Sequence, residues 1–240
     1  MDHYNHLHTP EAIRLRLAEG TQHSYLRDWV YGGIDGAVTT LAVVSGVAGA
    51  DLGARVILIL GAANLLADGF SMAASNYVGT KTERDQLERA SGVERHHIET
   101  DPEGEREEVR QIFEGKGLSG ATLDSVVREL TGDRDKWVRT MVTEEYGLPR
   151  EVRSPMMAAL ATFSAFALCG FVPLLPFVAG MPSALAVATT LTALVFLGIG
   201  SLKGRVAAAP WWHSALETLA IGSVAAALAF LIGIALKHVA

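Results

Sequence analysis

The chain has almost no cysteine. Cys169 is the single one in 240 residues, which excludes a disulfide scaffold and any CxxC-type zinc site. It has no excess of positive charge either: the formal net charge is −6, which leaves no electrostatic footprint for nucleic acid. Charge of both signs is scarce, at 19% of residues where an average globular protein carries about 25%. Residues 1–29, which include TPEAIRLRLAEGTQHSYLRDW, lack the apolar core of a secretory signal, so the N-terminus is expected to be retained. There is no internal repeat and no low-complexity tract.

What the chain does have is hydrophobicity, half of all residues, and a lopsided distribution of its charge. Of the 46 charged residues, 31 lie in 79–154 and seven in 1–29, leaving only eight for 30–78 and 155–240 together. A bilayer core of about 30 Å takes about 20 apolar residues of helix, and five stretches are long enough: 30–50, 54–78, 155–179, 185–202 and 214–236. The fold class expected is therefore all-α, a polytopic membrane protein of five transmembrane helices with a helical insert between spans two and three. Its parts are an arm or surface helix (1–29), spans one and two (30–78), the insert (79–154) and spans three to five (155–240). Five spans place the arm, the insert and the 203–213 loop on one side. That side holds 18 of the 20 Lys and Arg residues, against Arg55 and Lys237 opposite, so it is expected to be cytoplasmic. Fifteen arginines against five lysines lean toward a bacterial inner membrane, with a vacuolar membrane the alternative in a eukaryote.

An acid inside the membrane costs about 2.5–3.5 kcal/mol to insert and marks function by default. Asp35, in YGGIDGAVTTL, lies five residues into the first apolar run, about 8 Å at 1.5 Å per residue, and shares a face with Thr39. Gly32-x-x-x-Gly36 beside it reads as a dimer contact. Asn64, Asp68, Met72 and Asn76 recur every fourth residue on the second span as a polar stripe, and Lys203 and Glu217 complete the intramembrane set. The alternative is structural: Asp35 bonded to backbone, Asp68 paired with Lys203, Met72 in the core, Asn76 at the membrane edge.

The insert pairs Glu94 with His97 and Glu105 with Glu108 at i, i+3, and Met141 with Glu145 at i, i+4. Each pair falls on one helix face, and carboxylates with one imidazole and one thioether suit Fe²⁺ or Mn²⁺ better than structural zinc. A solvated acidic surface is the competing reading. His3, His6 and His8 form an N-terminal tract, read as a disordered tip; Cys169 reads as packing; Pro173 and Pro176 should kink the third span. Glu94-x-x-His97 also has the spacing of a di-iron ferroxidase, but a second Glu-x-x-His is missing. A metal sensor without flux is a further alternative.

These segments are similar to a known family. DGAVTTLAVVSG, ANLLADGFSMAASNYV, CGFVPLLPF and Lys203 with Ser214-x-x-Glu217 resemble the vacuolar iron transporters, in order, over nearly all the chain beyond residue 22. The resemblance implies a homodimer, not an enzyme and without a prosthetic group, that moves Fe²⁺ and sometimes Mn²⁺ out of the cytosol against protons. It implies that Asp35 and Met72 line the path, with Asn64 where some members place an acid. It further implies that Glu94, Glu105, Glu108, Met141 and Glu145 gather metal. Three positions depart from the pattern: His97 and Asn76 stand in place of glutamates, and Val142 in place of a second methionine.

Overall fold

The computed structural model describes residues 8–18, 24–206 and 209–237. Every regular element among them is helical. In chain order these are α1 (Pro10–Ala18), α2 (Leu26–Gly49), α3 (Ala54–Thr100), α4 (Pro102–Gly115), α5 (Gly120–Thr131) and α6 (Arg134–Glu144). Then follow α7 (Pro155–Phe171), a 3₁₀ turn (Val172–Leu174), α8 (Leu175–Val178), α9 (Ala184–Val206) and α10 (Trp211–Leu236). Five helices are long and apolar enough to cross a membrane: α2, α3, α7 continued through α8, α9 and α10.

Local chemistry sets the boundaries. The Asp101 carboxylate accepts from the Gly104 N–H at 3.1 Å, with Pro102 at the first helical position. Asp133 accepts likewise from the Lys136 N–H at 2.9 Å. Both satisfy donors that a helix start leaves unpaired. Nothing interrupts α3, whose 47 residues extend about 70 Å at 1.5 Å per residue. Its first half crosses the membrane and its second half is the spine of the insert. Pro173 and Pro176 break the third span into the 3₁₀ turn and α8. The arm does form a helix, α1, with Leu15 exposed. His8 lies just ahead of it; His3 and His6 lie outside the described residues.

α2 is the hub of the membrane part, packed against α3, α7, α9 and α10. Its glycines are used differently from the expectation. A Cβ on Gly32 would stand 2.3 Å from the Thr162 carbonyl oxygen, and one on Gly36 2.3 Å from that of Phe166. The pair therefore seats α7 of the same chain and leaves no surface for a dimer contact, because a glycine stripe favours whichever helix is closest, and chain connectivity supplies one. Cys169 packs with Val30, Ala37, Phe196 and Ile199. The insert has its own small core, formed by Ile98, Val109, Leu123, Trp137, Val138 and Met141 among others.

Candidate metal sites in the insert and between the first two spans

The two acids that start the insert's i, i+3 pairs are its most buried. Glu94 on α3 is 1% exposed and Glu105 on α4 is 5%, positions that carboxylates occupy only with partners. The sharp turn at Asp101 folds α4 back on α3 and brings them together. His97 bridges them at the surface, its Nδ1 3.3 Å from Glu105 Oε1 and 4.0 Å from Glu94 Oε1. The Tyr146 hydroxyl donates to Glu94 Oε1 at 2.9 Å. That leaves Glu94 Oε2 and Glu105 Oε2, both buried and without a hydrogen-bond partner. Burial first, then the negative charges of Glu94 and Glu108, push the Glu105 carboxyl up to about 7. Glu145 is raised by burial and by the same two acids. Burial and the bond to Glu94 push the Tyr146 phenol upward.

Five of the six insert residues expected from sequence are thus within electrostatic reach of one another: Glu94, His97, Glu105, Glu108 and Glu145. Met141 is fully buried in the adjoining core, one turn before Glu145. Among the described residues no three His, Cys, Asp or Glu side chains stand ready-made around one ion position. The chemistry of the cluster is that of a proton-holding site: crowded carboxylates with open lone pairs that a cation would satisfy. Sequence reasoning missed Tyr146. Its position directly after Glu145, at the end of α6, was the available signal.

In the membrane part α2 and α3 run antiparallel with their polar residues facing. The Asn64 amide donates to Thr39 Oγ1 at 3.3 Å, and Thr39 Oγ1 donates to the Asp35 carbonyl at 2.8 Å. One turn on, Asp68 is close enough to act electrostatically on Asp35. Met72 follows, lining a cavity of about 260 Å³ with Asp28, Tyr31, Asn76, Arg153 and Thr162. The Asn76 amide reaches Asp28 Oδ1 at 2.9 Å, Thr162 Oγ1 at 2.8 Å and the Ala158 carbonyl at 3.3 Å. Arg153 Nη1 donates to the other Asp28 oxygen at 2.5 Å.

Two corrections follow. The helix begins at Leu26, a turn before the apolar run, so Asp35 lies nine residues into the helix, about 14 Å at 1.5 Å per residue, and five into the apolar run. Asp28 thereby leaves the arm and becomes a buried residue at the mouth of the seam, 3% exposed. Sequence reasoning missed both Asp28 and Arg153, because a charge at the end of an apolar run looks like a flank. Lys203 pairs with Glu217 at 2.7 Å, joining α9 to α10 and leaving Asp68 without that partner.

Comparison with known proteins places the chain. The profile of the VIT family matches residues 26–234. The chain belongs to the VIT family. The match takes in α2 to α10 almost whole, and with them both polar clusters. The chain is 32% identical to vacuolar iron transporter 2 of Oryza sativa subsp. japonica over 230 residues, 92% of this chain and 93% of that protein. It is 30% identical to vacuolar iron transporter 1 of Arabidopsis thaliana over 224 residues, 91% and 88% of the two chains. It is 36% identical to the vacuolar iron transporter of Toxoplasma gondii over 161 residues, 66% of this chain and 53% of that one. Both clusters draw residues from one uninterrupted helix, α3, which carries Glu94 and His97 toward one end and Asn64, Asp68 and Met72 toward the other.

Proposed function

We propose that this protein exports Fe²⁺, and Mn²⁺ by the same chemistry, from the cytosol in exchange for protons. The observation that carries the reading is the buried Glu94–Glu105 pair, with one unpartnered oxygen on each carboxylate; Glu94 stands on the helix that also carries Asp68 and Met72, and Glu105 on the helix that follows it. The relatives' names as vacuolar iron transporters supply the metal, and the excess of Lys and Arg on the insert side supplies the orientation. The insert gathers the ion: Glu94, Glu105, Glu108 and Glu145 with His97 offer hard donors, and Met141 a soft one. The ion then passes along the α2–α3 seam, where Met72 and Asp35 receive it and Thr39 and Asn64 lead outward.

Protons compete at each stage. A carboxylate must lose its proton to bind the metal, so loading releases protons and acidification on the far side releases the ion. Asn76, bonded to Asp28 and Thr162, holds the mouth together but cannot titrate, which confines coupling to Asp35, Asp68 and the insert acids. Lys203 and Glu217, paired with each other, serve as a clamp between α9 and α10 rather than as path residues.

A homodimer follows from the exposed face of α3. Asp68 is exposed there between Leu66 and Phe70, themselves 67% and 70% exposed. A lone carboxylate facing lipid would cost about 2.5–3.5 kcal/mol, whereas a second copy covering the face turns it into the lining of a shared path.

The test is flux into liposomes that contain an iron-sensitive dye, under an imposed pH gradient and with several metals in competition. Wild-type protein transports Fe²⁺ and acidification of the trans side accelerates it. Asp35→Ala abolishes transport; if it transports as well as wild type, the path is wrongly placed.

A further inference from the structure

α6 has a second face. Trp137, Val138, Met141 and Val142 enter the core of the insert, and Glu145 joins the carboxylate cluster just beyond the helix. Lys136, Arg139 and Thr143 recur at i, i+3 and i+7, one side of a helix. They line a separate cavity of about 360 Å³, which Arg150 enters from the linker to α7. Three cationic side chains therefore share one cavity in an insert whose net charge is −5.

The nearby acids are otherwise engaged. Glu144, the one carboxylate in the lining, is held by Lys116 in an ion pair. Asp133, which also feels Lys136 and Arg139, is spent capping α6. Among the described residues none of Lys136, Arg139 and Arg150 forms an ion pair. Thr143 Oγ1 is buried and without a hydrogen-bond partner. Like charges lining one cavity, with a hydroxyl left over, are what a tetrahedral oxyanion relieves. Two guanidinium groups can each grip a pair of its oxygens, and a lysine adds a point charge.

We propose that this cavity binds a phosphate group. The ligand is an anion, so the site is distinct from the cation cluster on the other side of α6. The phosphate can come free in solution or on an anionic lipid headgroup, since the insert stands on a helix that continues from the membrane.

The experiment measures phenylglyoxal labelling of individual arginines by mass spectrometry, on the full chain in phosphatidylcholine nanodiscs. Inorganic phosphate is added against chloride at equal ionic strength, and in a second arm phosphatidic acid replaces part of the lipid. At ten times the dissociation constant the labelling of Arg139 and Arg150 slows about tenfold, while Arg106 and Arg134 keep their rates. Protection by added phosphate assigns a soluble ligand, and protection by phosphatidic acid alone assigns the headgroup. Equal rates in all conditions, or equal protection by chloride, overturn the proposal. So does Arg139→Gln in which Arg150 is still protected as in wild type, for then the cations do not act as one site. The readout is binding alone, so a failure to transport iron would leave the result intact.

Discussion

Glu105 shows how one residue can set the pH behaviour of the insert. Its carboxyl sits at about 7 rather than the usual 4.5, so between those values the folded chain holds a proton that the unfolded chain has lost. Stability then falls as pH rises through that window and levels off above it. Metal binding offsets that loss, since the cation takes the place of the proton and binds only the deprotonated carboxylate. Protection factors of α4 and α6 amides in the metal-free chain, with the intrinsic base-catalysed exchange rate divided out, should fall from pH 5 to 7.5, and added Fe²⁺ or Mn²⁺ should restore them most at the upper end. Glu105→Gln, which cannot ionise, should flatten the pH dependence. It should also weaken metal retention by at least about tenfold, the lower end of what disturbing even an outer-shell partner costs. The i, i+3 spacing of Glu94 with His97 made this cluster legible in the sequence. Tyr146 and the unequal burial of the acids were not, because both depend on how α4 folds back at Asp101.

At the scale of the element, the first two spans form a ladder whose rungs were half visible. Asn64, Asp68, Met72 and Asn76 announce themselves by their spacing, but their partners on α2 depend on register, which one helix cannot reveal. Asp28 is the clearest case. With Arg153 it forms a pair whose carboxylate is 4% exposed and whose guanidinium is 21% exposed. Removing one partner of a deeply buried pair costs about 3–5 kcal/mol, and the partial exposure of Arg153 discounts that to roughly 1–3. Asp28→Asn should therefore lower the thermal unfolding temperature in detergent, and adding Arg153→Gln should recover part of the loss. Full additivity of the two losses would mean that the pair contributes nothing. The glycines give a second element-scale prediction. A Cβ at Gly36 meets backbone of Phe166, which has no rotamer to yield, so Gly36→Ala should destabilise by about 1–3 kcal/mol as overpacked cores do. Gly79→Ala, where a Cβ meets nothing, should be neutral or gain helix propensity.

For the whole molecule, the charge count was enough to find the five helices long and apolar enough to span a membrane, since hydrocarbon tolerates so few charges that their positions trace the membrane. It could not show that both polar clusters share one rigid rod. Because α3 is continuous from Ala54 to Thr100, the insert cannot pivot freely over the mouth of the seam. Handing over an ion then depends on a fixed geometry rather than on a swinging carrier. Replacing Glu83 and Arg84, both exposed, with a Gly-Pro pair breaks the rod, since proline removes a helical hydrogen bond and costs about 3 kcal/mol. Both clusters keep all their residues in that variant. If the rod is required, metal binding by the insert survives while liposome flux at low Fe²⁺ falls, and high Fe²⁺, which bypasses gathering, restores it. Unchanged flux at low Fe²⁺ would mean that the insert works as a detached buffer, and that the continuity of α3 serves assembly alone.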